Sequence, residues 1–588
     1  MQALKNIWLL MEGSKIIYLG AVAATAIATV FSLLPPLVIR FTVDTVLGND
    51  NPTTMVELWL AHNLWFCGLA IVLLTSMRGL FTYFRGRWAA KASEQIAQGL
   101  RERLYDHLQK MPYNYHVKAK TGDLIQRCTS DVDTIRHFLV NQIIEMGRTI
   151  FIVLFSLGVM LSLSLHLTVA AVVILPVMPV ISYVFFKKIR ATFQLVDEKE
   201  AELSTVLQEH VSCVRVVRAF GRQLYEIDKF EEKNSQFRDL SSHHMHLLSI
   251  FWALTDMLCW TQIALTLFAG IYLTVTGAIT LGTLLVFNFY VGMLIWPMRN
   301  LGRIISDAGR TEVSIGRVNQ ILNSPPEGDT EGAIRPSLRG DIVFDNVVFG
   351  YDDQKPVLNG LSFSIKKGET VAFLGPTGSG KSTIMHILLR LYDYNQGQIS
   401  INGVELRNIE KSWLREKVGI VLQEPFLFSK TIRSNMQMAR DDVEDLDIYE
   451  AAQTASIHDV INRFRHGYET VLGERGVTLS GGQKQRAAIA RTLIKHCDLL
   501  IFDDSLSAVD TETDAQIRSA LKERQKDVTT CIISQRISTL MEADRIFIIQ
   551  NGQVADVGTH EELIYREGLY KRIWQIQNML EDDLDESL

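Results

Sequence analysis

Hydrophobic and polar positions divide the chain into two regimes. Segments near residues 16–40, 58–82, 143–164, 167–186, 249–275 and 279–298 are each apolar over about 20 residues, enough to cross a hydrocarbon core. One such run could be a buried helix of a soluble protein, but six together do not make a soluble core. Pro35, Pro36, Pro176, Pro179 and Pro297 lie inside or beside these runs; membrane helices tolerate proline where neighbours satisfy the freed carbonyls. The two long connections, roughly 85–142 and 187–248, are charged and helix-periodic rather than rich in glycine or proline. That predicts flanking helices that continue beyond the bilayer.

Between Leu322 and Leu338 the pattern breaks at Pro325, Pro326, Gly328, Gly332 and Pro336, which marks a linker, set at 321–340. Beyond it the apolar runs shorten. Glu369 to Leu374 predicts a strand and the residues from Ser382 a helix, while Asp498 to Phe502 reads as a short buried parallel strand. The expected domains are a helical membrane part over 1–320, an α/β part over 341–580 and a solvated acidic tail over 581–588.

Charge sets an orientation. The connection after the second apolar run carries Arg85, Arg87, Lys91, Arg101, Arg103, Lys110, Lys118 and Lys120, whereas Thr42 to Glu57 has no Lys or Arg. The positive-inside rule then predicts a multi-pass protein with both termini in the cytoplasm. The first apolar run is too long for a cleaved signal and reads as an anchor, and Ala3 to Leu10 is an amphipathic stretch that could lie along the membrane. With 47% hydrophobic residues, 21% charged residues and a formal net charge of −6, there is no basic excess to suggest nucleic acid as a partner. The six cysteines are scattered, without metal or disulfide spacing, and read mostly as small buried residues in reducing surroundings.

The second half carries the chemistry. Gly375-Pro376-Thr377-Gly378-Ser379-Gly380-Lys381-Ser382, then Thr383, follows a strand and opens a helix. Glycines let backbone amides face inward, and the helix N-terminus favours an anion, so this is a phosphate-gripping loop for ATP. Lys381 would reach the β- and γ-phosphates and Ser382 would hold Mg²⁺. Asp503, at the carboxyl edge of a neighbouring strand, would hold the same Mg²⁺ through water.

Further motifs follow in a fixed order, and the set resembles that of ATP-binding cassette exporters along the whole chain. Leu479-Ser480-Gly481-Gly482-Gln483 matches the family signature. Tyr351 stands where the family stacks an aromatic on adenine, and Gln423 in the Q-loop that touches Mg²⁺ and faces the membrane domain. Glu474 resembles the exporter X-loop and Asp510 the D-loop, while Gln535 occupies the H-loop position. Thr121 to Arg127, with Asp131 and Asp133, and Val214 to Gly221 resemble coupling regions. The resemblance implies a membrane all-α six-helix exporter domain of the domain-swapped type, fused to an α/β P-loop nucleotide-binding domain. In this family the signature of one module closes over the phosphates held by another, so Ser480, Gly481, Gly482, Gln483 and Asp510 are implied to serve a partner's site.

Two positions depart from the family pattern. Asp504 stands where the family has a Glu that polarises the attacking water, and Gln535 where it has His. A general base must come within about 2.6–3.2 Å of its proton. Asp is one methylene shorter, and a misplacement of about 1 Å can cost on the order of 10²-fold in rate. Gln can donate a hydrogen bond to a γ-phosphate but cannot carry positive charge near neutral pH. The expectation is a half-transporter that binds ATP at a degenerate site and lends an intact signature to a homologous partner with Glu and His. It would export amphiphilic drugs across a bacterial plasma membrane. A lipid or lipopeptide flippase and a homodimeric exporter are the alternatives. Trp260, Phe287, Phe289, Tyr290 and Trp296 are candidates to line its apolar cavity, with lipid-facing or packing roles as the alternative.

Overall fold

The structure is a computed structural model that describes residues 13–46, 64–351, 355–440, 442–473, 476, 478–505, 511–524 and 528–585. Ala3 to Leu10, residues 58–63, Glu474 and Asp510 lie outside the described residues. The chain forms two compact units: Met1–Met111 with Ala119–Pro325, and Pro112–Lys118 with Pro326–Leu588.

Among the described residues the first unit is helical. Its six helices long and apolar enough to cross a membrane are α1 (Lys15–Thr45), α2 (Trp65–Gln109), α3 (Thr121–Leu163), α4 (Leu165–Ala219), α5 (Gln223–Val275) and α6 (Leu281–Leu322). The 45 residues of α2 extend about 68 Å at 1.5 Å per residue, twice a hydrocarbon core, so the charged halves of these helices do continue beyond it.

The helices are interrupted where the sequence supplies a cause. In α4 the helix opens over Val173 to Pro176, because proline has no amide to give and crowds the preceding turn. Gln262 of α5, wholly buried, bridges that opening: Nε2 donates to the Ala170 carbonyl at 2.9 Å and Oε1 accepts from the Ile174 amide at 3.0 Å. In α3 two π-turns, Arg127–Asp131 and Phe138–Ile143, bring Asp131 into the interior, where it accepts from Ser314 Oγ at 2.8 Å.

Phe287 and Tyr290 of α6 are fully buried within this unit, and the Tyr290 hydroxyl donates to the Leu33 carbonyl at 2.8 Å. They pack the helices together, so of the two roles open to this pair the structure shows packing. Trp260, Phe289 and Trp296 are exposed at the unit's surface.

The second unit contains β1 (Ile342–Phe349), β2 (Leu358–Ile365), β3 (Thr370–Leu374), β4 (Gln396–Ile401), β5 (Val404–Glu405), β6 (Val418–Val421), β7 (Leu499–Asp503), β8 (Thr529–Ile533), β9 (Arg545–Gln550) and β10 (Gln553–Gly558). They form an antiparallel sheet, β2-β1-β4-β5, and a sheet of order β10-β9-β3-β8-β7-β6. In the latter β9, β3, β8, β7 and β6 run parallel. Parallel strands are buried on both faces, which explains why β3 and β7 read as unbroken apolar runs. Phe344 and Phe363 of the antiparallel sheet stack at 4.4 Å, and Phe363 meets Phe373 and Phe547 of the parallel one, sealing the two sheets together.

The helices that matter for the site are α7 (Lys381–Leu388), α8 (Gly481–Ile494), α9 (Ile537–Leu540) and α10 (Leu569–Asp585). The last takes in residues expected in a solvated acidic tail from Glu581. The segment after α6 is pinned to this unit: Glu327 accepts two hydrogen bonds from Arg415 at 2.7 and 2.8 Å, and Trp413 donates to the Pro336 carbonyl at 2.8 Å.

Candidate functional site

The loop from Gly375 to Gly380 leaves the carboxyl end of β3 and delivers Lys381 to the start of α7. Two of its glycines are required by the space around them. A Cβ on Gly375 would stand 2.1 Å from the Ile549 carbonyl oxygen, and Gly380 has φ +103° with Leu358 only 2.6 Å from where a Cβ would be. Both facts keep the backbone bare and close, as a cradle for phosphate must be. Lys381 Nζ donates to the Gly375 and Pro376 carbonyls at 2.8 and 2.9 Å, which holds the ammonium over the loop. Burial pulls its pKa down, while Asp503 and Asp504 push it back up.

β7 ends beside this loop. Ser382 Oγ donates to Asp503 Oδ1 at 3.0 Å, so two oxygen ligands suited to Mg²⁺ converge from separate elements. Asp503 is only 6% exposed; burial pushes its carboxyl up, and Ser382, His386 and Lys381 oppose that. Asp504 follows in the left-handed region at φ +46°, a conformation that Asp tolerates better than most residues. Burial raises its carboxyl too, with Asp503 adding to the rise and Arg536 and Lys381 opposing it. Gln423 Nε2 comes within 3.5 Å of Asp504 Oδ2. The bare cradle, the hydroxyl–carboxylate pair and the buried ammonium fit a Mg²⁺–nucleotide, which would bring the phosphates that Lys381 and the loop amides bind. Thr377, Gly378, Ser379 and Thr383 belong to the same loop and helix start.

Tyr351 has its hydroxyl 2.9 Å from Thr383 Oγ1, and its ring meets Phe349 and Tyr392 edge-on. At 39% exposure the ring keeps a free surface. Tyr392 also meets Tyr113 edge-on at 5.6 Å. Tyr113 opens a short helix, Tyr113–Lys118, that belongs to the second unit, whereas Thr121 to Arg127 belongs to the first. Neither Tyr392 nor Tyr113 stood out in the sequence; Pro112, which ends a helix pattern, was the available signal.

Ser480 caps α8 and forms a reciprocal box with Gln483: its amide donates to Gln483 Oε1 at 3.0 Å and its hydroxyl accepts from the Gln483 amide. These side chains close on each other, and Ser480 and Gly481 remain exposed. A capped helix N-terminus that faces outward favours an anion. Gln535, on the β8–α9 connection, is also exposed.

Residues 18–298 match the model of the ABC transporter transmembrane region and residues 358–507 that of the ABC transporter family. The chain is 34% identical to the uncharacterized ABC transporter ATP-binding protein YknU of Bacillus subtilis, over 95% of each chain. The chain belongs to the ABC transporter family. It is also 32% identical to YgaD of Bacillus subtilis, named as a candidate multidrug export ATP-binding/permease protein, over 92% of this chain and 94% of that one. A solved bacterial Atm1-family ABC exporter with ATP bound superposes with TM-score 0.82 at 26% identity, covering 96% of this chain and 99% of the other. This ABC transporter is thus a multi-pass membrane protein of the exporter fold, with an ATPase domain of the kind that drives transport.

Proposed function

We propose that this chain is one half of a heterodimeric exporter of amphiphilic small molecules in a bacterial plasma membrane, with its ATPase domain and both termini in the cytoplasm. Its own phosphate loop holds Mg²⁺–ATP, contacted by Tyr351, Gly375 to Thr383, Gln423 and Asp503, and hydrolyses it slowly. Its Ser480, Gly481, Gly482, Gln483 and Asp510 complete the site of a homologous partner that has Glu and His where this chain has Asp504 and Gln535. Binding at both sites draws the ATPase domains together and turns the helical cavity outward; hydrolysis on the partner's loop resets it.

The observation that carries this reading is the pair Asp504 and Gln535 beside an otherwise intact phosphate loop. A short carboxylate withdraws the base and a neutral amide removes the charge that organise the attacking water, while binding determinants remain. Relatives named for multidrug export support the substrate class.

ATPase activity of the chain alone, then with candidate partners, tests the pairing. The expected result is near-inactivity alone, activity as a pair, and loss of turnover when the partner's Glu is changed to Gln. Robust turnover by the chain alone would replace this reading with a homodimer. Stimulation of the pair by lipids and not by drugs would replace the substrate class with a lipid or lipopeptide.

A further inference from the structure

Gln535 sits on the short connection between β8 and α9. The backbone groups of such a connection need partners or water. Here the partner is remote: Gln577, in the middle of α10, donates from Nε2 to the Gln535 carbonyl at 2.8 Å and accepts the Ile537 amide at Oε1 at 2.9 Å. One primary amide therefore spans both sides of Arg536, as a peptide group of an adjoining strand would. The Arg536 amide donates to Ser534 Oγ at 3.1 Å, so the backbone is held at each of residues 535, 536 and 537.

The helix that carries Gln577 is itself anchored. Tyr570 is buried, with its hydroxyl 2.6 Å from His560 Nδ1, and Leu569, Ile573 and Trp574 pack with it against Ile537 and Leu540 of α9 and Ala372 and Leu374 of β3. β3 is the strand that feeds the phosphate loop. The same helix thus braces the strand leading to the phosphates and the peptide that presents Gln535.

We propose that Gln577 is a positioning residue: its two hydrogen bonds set the peptide that aims Gln535 at the γ-phosphate and make α10 part of the device that distinguishes ATP from ADP. This rests on the reading of Gln535 as the residue facing the γ-phosphate. An ADP-bound site has no γ-phosphate, so the clamp acts on one nucleotide and not on the other. A merely structural Gln577 would affect both alike.

The test uses the full-length transporter and two probes, the non-hydrolysable β,γ-imido analogue of ATP and ADP. Gln577→Met keeps the volume and helix preference but makes neither hydrogen bond; Gln577→Glu keeps an acceptor for Ile537 and faces the Gln535 carbonyl with a second acceptor. Both are expected to weaken the ATP analogue about 3- to 10-fold, the scale of one hydrogen bond, and to leave ADP unchanged. Gln535→Ala should do the same, and the double variant should be no weaker than the worse single one. Equal weakening of both nucleotides, or no change in either Gln577 variant while Gln535→Ala stays selective, would overturn the clamp. If Gln535→Ala does not shift the ratio between the nucleotides, the γ-phosphate reading itself fails. Should Gln577→Met unfold, Gln577→Glu gives the same comparison.

Discussion

Ser382 Oγ lies 3.0 Å from Asp503 Oδ1, tying the first turn of the phosphate-loop helix to the end of a parallel strand 121 residues away. The carboxylate pays for this position by losing water. Its folded-state pKa is raised, so the folded protein binds that proton more tightly than the unfolded chain does. Stability therefore falls as pH rises from about 3.9, the unfolded value, through the folded value. Asp503→Asn is expected to raise the melting temperature of the nucleotide-free protein at pH 7 by about 2–4 °C, with the gain vanishing at the acid end of that window. The same variant should lose the Mg²⁺ dependence of ATP binding. Thermal unfolding at two pH values and ATP titrations with and without Mg²⁺ check both halves; a lower melting temperature at pH 7 would show that the carboxylate stabilises the fold.

Asp504→Glu together with Gln535→His should return hydrolysis to this chain's own loop. The expected gain is on the order of 10²-fold, the scale associated with moving a reacting group by about 1 Å. Glu accommodates the left-handed backbone at residue 504 less readily than Asp, so a small loss of stability should accompany the gain. Turnover is measured with the partner's own Glu changed to Gln, so that only this site reports. No gain in the double variant would locate the limit on hydrolysis elsewhere.

What the sequence disclosed depended on whether an interaction was local. The phosphate loop was legible because strand, glycines, lysine and helix follow one another directly, and β7 because a buried parallel strand is apolar throughout. The six apolar helices were legible by length. Gln577 was not, since nothing in the neighbourhood of residue 577 mentions a loop 40 residues earlier. The aromatic contacts of Tyr392 were hidden for the same reason, because Tyr113 lies nearly half the chain away from it. Phe287 and Tyr290 stayed open between lining and packing because apolar aromatics look alike in a sequence whether they pack helices or line a cavity. Asp131 shows the converse: a charge in a polar helix reads as exposed until a π-turn rotates it inward.

Glu327 offers a prediction of opposite sign. Burial pushes its carboxyl up, but the Arg415 hydrogen bonds and charge, with Lys411 nearby, outweigh burial and hold it below the ordinary value. Its contribution is thus present above the unfolded pKa, about 4.3, and is lost as pH falls through the folded one. Glu327→Gln should destabilise the protein by about 1–2 kcal/mol at pH 7, near the lower end for hydrogen bonds to a charged group because the pair is partly exposed. Comparing unfolding of the variant and the natural chain at pH 7 and near pH 3.5 checks it. A difference that does not shrink with acid would mean that packing, not the ion pair, holds the segment after α6.

Gln262 is the test of how the helical unit tolerates a broken helix. Where α4 opens before Pro176, the Ala170 carbonyl and Ile174 amide would face an apolar interior, and no water competes there to satisfy them. A wholly buried amide on α5 supplies one donor and one acceptor in the required places. Gln262→Leu keeps the apolar bulk and removes both, leaving groups whose desolvation costs about 1–3 kcal/mol each. The expected outcome is a loss of about 2–4 kcal/mol in detergent unfolding, less than the sum because α4 can relax at its opening. Equal stability of Gln262→Leu and the natural chain would mean that the opened turn finds other partners, and that Gln262 is buried for its size alone.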